Sequence, residues 1–149
     1  MNKRIQKKKI KLHNKYLCKR YPFLIPHDWD DKPMWKSKYS YTELDEMEPG
    51  WRKAFGEEMC EELREELLKY NSLSSFRIVQ IKEKFGGLRF YVTNVPPKSD
   101  IYDIIHKYEN LSYEICTECG QPAHQYSDGW IYTLCDKCIK KIKRNYSYV

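Results

Sequence analysis

Six cysteines occur in the chain, and four of them, Cys116, Cys119, Cys135 and Cys138, form two C-x-x-C pairs with fifteen residues between them. Each C-x-x-C turn brings two thiolates together, and two such turns joined by a short loop close a tetrahedron of sulfur, the arrangement preferred by Zn²⁺. Gly120 follows the first pair, and Ser127-Asp128-Gly129 has the composition of a hairpin turn between strands at 124–126 and 130–134. One structural Zn²⁺ bound by the four cysteines is therefore expected. A segment this small has little core of its own and would lean on the metal to fold. Four protein ligands leave no open position for water, which weighs against a zinc hydrolase or a zinc deaminase, and the deaminase would also need a His-x-Glu element ahead of its cysteines. Two disulfides or an iron–sulfur cluster are the other uses of such a quartet. His124 lies between the pairs and is expected on a strand surface.

Other catalytic constellations are sparse. His13, His27, His106 and His124 form no H-x-x-x-H pair, and there is no G-x-S-x-G elbow or phosphate-binding Gly-rich loop. The segment LCDKCIKK is similar to the second knuckle of small HNH-type nucleases. The intervening loop nevertheless lacks their Asp-His pair, and Ile139 stands where a polar ligand is needed. Gln80-Ile81-Lys82 resembles half of a restriction-type site with Glu62 or Glu66 as metal ligands, yet strand alternation turns Lys82 outward. Cys18 and Cys60 read as packed side chains. The expectation is a non-enzyme, with a metal-dependent nuclease as the enzymatic alternative.

Charge is distributed unevenly. Residues 1–20 carry nine Lys or Arg and no acid, and residues 139–149 carry four more, again with no acid. The segment between them has 14 basic and 21 acidic residues, a sum of −7 within an overall +6. Clustered lysines among aromatics are the electrostatic footprint of a nucleic-acid binder. The expected phosphate contacts are Lys3, Arg4, Lys7, Lys8, Lys9, Lys11 and Lys15 at one end and Lys137, Lys140, Lys141, Lys143 and Arg144 at the other. DNA and RNA are both open. If the second knuckle begins a helix, Lys137, Lys140, Lys141 and Arg144 share one side of it. A protein-binding adaptor is the main alternative, and lysine-rich ends that serve only solubility are the bland one.

Three regions position these groups. Residues 1–20 form a basic arm, either mobile or helical with Ile5, Leu12, Tyr16 and Leu17 on one side. Residues 21–112 form an α+β body. It opens with a Pro-rich wrap anchored by Phe23, Trp29, Trp35, Tyr39 and Tyr41, in which Thr42 and Asp45 have capping-box spacing. Pro49-Gly50 is read as a change of direction. A helix over 51–70 follows, with Phe55, Met59, Leu63 and Leu67 as its apolar stripe and glutamates on its solvated face. FRIVQIKEK and LRFYV then flank Phe85-Gly86-Gly87 as a hairpin. Ser99 caps a helix over 100–111 that buries Ile101, Ile104, Ile105 and Tyr108. Residues 113–149 form the four-cysteine module, zinc-ribbon-like or treble-clef-like. The expected fold is thus α+β, a helix packed on a small antiparallel sheet.

The order of aromatic segment, Gly50-Trp51 helix, IKEKFGGLRFY hairpin, isoleucine helix and four-cysteine module resembles a family of small proteins encoded by bacteria and their phages. The resemblance covers about Tyr21 to Cys138 and is carried chiefly by residues 81–91 and the C-x-x-C pairs. It implies this architecture and a mobile-element context in which proteins inhibit or redirect host machinery, and it supplies no catalytic residues. Apolar runs fall far short of the roughly 20 residues of a membrane helix, and the basic N-terminus has no apolar leader segment, so a cytoplasmic, non-membrane protein is expected.

Overall fold

The computed structural model describes residues 2–142 and the backbone of residues 147–148. Its first element, α1 (Lys3–Arg20), is an ordered helix whose N-cap Asn2 accepts a hydrogen bond from the Arg4 amide at 2.9 Å. Of the apolar side of α1, Leu17 is buried while Ile5, Leu12 and Tyr16 are exposed, and Asn14 and Cys18 are the other buried residues of the helix. The helix is therefore held by its last two turns. Asn14 donates Nδ2 to the Tyr39 carbonyl at 2.9 Å, and the Arg20 guanidinium grips both oxygens of Glu61, at 2.8 and 2.5 Å. Tyr21 donates its hydroxyl to the same carboxylate at 2.6 Å.

A 3-10 turn over Pro22–Leu24 then drives Phe23 and Leu24 fully into the core. The aromatic wrap is partly as expected. Trp35 donates its indole N–H to the Tyr41 carbonyl at 2.9 Å, but Trp29 packs on nothing and is fully exposed. Asp45 takes the Thr42 amide at 2.7 Å as a capping box requires.

Pro49-Gly50 opens a helix where the sequence suggested a change of direction, because Pro is well tolerated in a first helical turn. The helix runs as α2 (Pro49–Trp51), a π turn over Arg52–Gly56 and α3 (Glu57–Lys69). Phe55, Met59, Cys60, Leu63 and Leu67 face inward as their four-residue spacing dictates. The solvated-face reading fails for Glu66, which is only 5% exposed.

Strands β1 (Arg77–Lys84) and β2 (Gly87–Thr93) pair antiparallel through the two-residue turn Phe85-Gly86, both at positive φ (54° and 80°), the backbone of a type I′ hairpin. The register shifts between Ile78 and Gln80, which bulges Val79 outward to 63% exposure. Helix α4 (Ile101–Ser112) packs on this hairpin and on α3, burying Ile101, Ile105 and Tyr108 with Ile104 only partly buried. Its start is not capped by Ser99, whose hydroxyl donates to the Pro96 carbonyl at 2.7 Å. Glu66 of α3 receives the Asp100 amide at 3.0 Å instead, so one helix caps the next.

Beyond α4 come β3 (His124–Ser127), β4 (Ile131–Leu134), the single turn α5 (Asp136–Ile139) and β5 (Ser147–Tyr148). The second sheet runs β4-β3-β5, all antiparallel, and its third strand had no counterpart in the sequence reading. The fold is α+β with two small antiparallel sheets and four cysteines gathered at its C-terminal side. Among the described residues no helix is long and apolar enough to cross a membrane.

Candidate metal centre

Two turns and a hairpin bring the cysteines together. Cys116 and Cys119 lie on a tight loop whose geometry is set by Gly120 at φ +80°, with the Gly120 amide donating back to the Cys116 carbonyl at 3.0 Å. The hairpin β3–β4 then returns the chain, so that Cys135 sits at the N-cap of α5 and Cys138 within its single turn. A knuckle, a hairpin and a helix start, each pair of cysteines on one of the two turns, is the treble-clef-like order expected from the spacing.

All four sulfurs lie within 4.8 Å of one another, and Cys119 and Cys135 sulfurs are 3.6 Å apart. A metal bonded at ~2.3 Å to four tetrahedral sulfurs sets them ~3.8 Å apart, so the donor set fits one ion with no ligand to spare. Cys116, Cys135 and Cys138 are buried and Cys119 is partly exposed. None of the six cysteines is in a disulfide. The Cys138 amide donates to the Cys135 sulfur at 3.3 Å. Burial raises the Cys135 thiol, but this N–H and the neighbouring sulfurs outweigh it and draw the group down to about 7. Cys119 and Cys138, hydrogen-bonded within the same set of sulfurs, shift the opposite way and are raised.

Among the described residues, the buried hydrophobic partners of the sulfurs are Tyr126 and Leu134, with Ala123, Tyr132, Ile139 and Ile142 half-buried. The body supplies the rest. Gly50 donates its amide to the Thr117 carbonyl at 2.7 Å, and Trp51, fully buried, donates its indole N–H to the Ile115 carbonyl at 2.8 Å. On the other flank Thr133 of β4 donates its hydroxyl to the Gly86 carbonyl at the β1–β2 tip, at 2.5 Å. The knuckle and β4 are joined by Thr117, whose amide and hydroxyl both reach the Thr133 carbonyl, at 3.1 and 3.2 Å. Residues 113–142 thus share two seams with the body.

The remaining candidates separate cleanly. Lys3, Arg4, Lys7, Lys8, Lys9, Lys11 and Lys15 are all exposed on α1, and every residue from Lys3 to His13 is exposed as well. Lys137, Lys140 and Lys141 are exposed beside the cysteines, but α5 ends at Ile139, so no longer helix aligns them. Lys143 and Arg144 lie outside the described residues. His124 is an exposed strand residue, as expected. The restriction-type grouping does not assemble. Glu62 is held by Lys107 at 2.5 Å and by the Tyr108 hydroxyl, Glu66 caps α4, and Lys82 lies 5.7 Å over the Tyr91 ring. Among the described residues the cysteine quartet is the only grouping of potential ligands at metal distance. Cys18 and Cys60 are buried, and burial pushes the Cys18 thiol up to about 11 and that of Cys60 higher still, which removes both as nucleophiles.

One connection escaped the sequence reading. Lys53, in the π turn, lines an open groove of about 470 Å³ together with Lys137, Lys141, His124 and the cysteine loops. It also lines the neighbouring groove with His13 and Arg52. Lys53 is thus shared between a groove beside the cysteine loops, which also holds Asp136, and one beside α1, which also holds Glu57. Only tertiary placement reveals this, since Lys53 belongs to no charge cluster in sequence. No protein-family model, curated protein or solved structure matches the chain.

Proposed function

We propose that the protein is a non-catalytic nucleic-acid binder whose cysteine quartet holds one structural Zn²⁺. The observation that carries this reading is the N-terminal part of α1, in which every lysine is exposed, only Lys11 of them makes a side-chain contact among the described residues, with Ser37 at 2.5 Å, and the first turn contains no acid. A helix concentrates positive potential at its N-terminus, and lysines there add like charge to it, so such a helix is stabilised by an anion supplied from outside. A polyphosphate backbone is the matching counterion at this charge density. Lys53, Lys137 and Lys141 line one groove beside the metal loops and add cations to that side, although Asp136 lies among them and Arg52 is paired with Asp45 at 2.6 Å. Zinc is favoured over an iron–sulfur cluster because sulfurs within 4.8 Å of one another leave room for a single ion, and over other divalent ions because four thiolates suit it best.

The test is binding of the metal-loaded protein to short duplexes and single strands at low and moderate salt, with and without the combined substitutions Lys7→Ala, Lys8→Ala and Lys9→Ala. These residues touch nothing in the core. The logarithm of affinity should fall linearly with the logarithm of salt, and each lost phosphate contact should reduce that slope by about 1. Absence of salt-dependent binding would remove the reading and leave a protein-binding adaptor in its place.

A further inference from the structure

Side chains alternate along paired strands, so the β1–β2 register divides the hairpin into two faces of different chemistry. Ile81, Phe90 and Leu88 share the face that packs into the core, and Glu83, opposite Leu88, spends a carboxylate oxygen on the Gly86 amide at 2.6 Å. The other face pairs Gln80 with Tyr91, Lys82 with Arg89 and Arg77 with Thr93, and carries Lys84 next to the turn. It holds four cations and no acid of its own strands.

Large aromatic groups stand along the same surface. Phe85 at the hairpin tip is 60% exposed and Tyr91 at its middle 43%. Trp29, fully exposed, lines the hollow at the far end together with Met34, Val79 and Arg77. The cations lie next to the rings, with the Lys82 ammonium 5.7 Å from the Tyr91 ring centre and the Lys84 ammonium 5.5 Å from that of Phe85. Arg77 is paired with Asp31 at 2.7 Å, and Arg89 donates one Nη to the Leu88 carbonyl and the Tyr113 hydroxyl, at 3.0 and 3.1 Å, which leaves Lys82 and Lys84 as the cations beside the rings. Exposing three large rings to water is unfavourable, and a fold keeps such a surface where something flat and apolar covers it. A row of cations beside the rings specifies that the covering molecule carries regularly spaced negative charge.

We infer that this outer hairpin face, Lys82, Lys84, Arg89, Tyr91 and Phe85 with Trp29 at its end, is a stacking platform for a single-stranded polynucleotide. Bases lie on the rings and phosphates along the lysines, whereas a duplex, its bases already stacked and paired, has no free ring face to offer. The strand spans about 26 Å, enough for roughly four nucleotides at the lower end of known single-strand site sizes. The inference rests on the nucleic-acid reading only for the class of partner. It assigns single strands to the hairpin and leaves the sequence-independent phosphate grip to α1.

The experiment uses the full-length metal-loaded protein and fluorescently labelled oligothymidylate and oligouridylate of about 12 nucleotides, with a duplex of the same length. Tyr91→Ala should weaken both single strands by about 10-fold and leave the duplex unchanged, while Tyr91→Phe, which keeps the ring, retains full affinity. Lys82→Ala should lower the single-strand salt slope by about 1. Equal single-strand affinity of Tyr91→Ala and the parent, or an equal loss on duplex and single strand, overturns the platform. If the Lys7, Lys8 and Lys9 substitutions change nothing while Tyr91→Ala still loses single strands, the α1 reading falls and the platform stands. No binding to any of the three probes overturns both.

Discussion

A methyl group placed on Gly50 would lie 1.9 Å from the carbonyl oxygen of Cys116. Backbone meets backbone here: the same methyl would be 2.7 Å from the Gly120 nitrogen, and one on Gly120 would be 2.8 Å from the Gly50 carbonyl oxygen. The helix start and the first cysteine loop are therefore in contact through two glycines with no side chain between them. Gly50→Ala must push the loop away from the helix, breaking the Gly50–Thr117 hydrogen bond and displacing Trp51 from Ile115. We expect a loss of about 3 kcal/mol in stability and weaker metal retention, read by thermal melting and a competitive chelator. Unchanged melting and retention would show that the seam is not needed.

Removing the metal should unfold the C-terminal module first. With so few buried apolar partners around the sulfurs, the four thiolates repel or protonate once the ion is gone. Elemental analysis should give one zinc per chain, and Cys119→Ser should lose it, with the β3–β4 amides exchanging rapidly with solvent. Because the module shares seams with the body, the melting temperature of the whole chain should fall as well. A chelated protein with unaltered amide protection would contradict the metal assignment.

Thr133 tests the second seam. Its side chain is 1% exposed and its hydroxyl donates to Gly86. Thr133→Val keeps the volume and removes the donor, leaving a buried carbonyl with one partner fewer, at a cost of about 1 kcal/mol. Denaturant unfolding measures it, and a combined Gly50→Ala and Thr133→Val variant should show more than additive loss of zinc if the two seams cooperate.

Glu43, on the turn before α2, should make stability depend on pH. Burial, reinforced by the charge of Glu46, pushes its carboxyl up to about 7 from an ordinary value of 4.5. The folded state therefore holds a proton that the unfolded chain has already released, and stability declines as pH rises from about 4.5 to 7. Glu43→Gln abolishes that slope. It should match the parent near pH 4 and exceed it at pH 8 by about 2 kcal/mol, less than the full shift would give because the carboxyl is partly exposed and screened by water, as read by denaturant midpoints. Parallel profiles for the two proteins would show that the carboxyl is not perturbed.

Local chemistry was the legible part of this chain. The cysteine spacing, the Phe85-Gly86 turn and the four-residue recurrence from Phe55 to Leu67 each depend on contacts within a few residues, and each appears where the pattern places it. Misreadings arose where a distant group took over a local role. Ser99 loses the cap of α4 to Glu66, which takes the Asp100 amide from 34 positions away. The single-turn length of α5 and the pairing of β5 with β3 were invisible for the same reason. The meeting of Lys53 with Lys137 and Lys141 depends on the Gly50 seam, which no periodicity encodes.

Because α1 is already wound and clamped at Asn14, Leu17 and Arg20, its lysines are presented on a stiff lever instead of a tether. A disordered basic tail loses backbone freedom at roughly 1–2 kcal/mol for each residue that orders on its target, whereas a preformed helix has met that loss during folding. Its reach is correspondingly limited to the turns before Lys11, which is held by Ser37, about 12 Å at 1.5 Å per residue. An anion that met α1 would therefore meet lysines whose placement relative to the body is already set by the Asn14–Tyr39 and Arg20–Glu61 contacts.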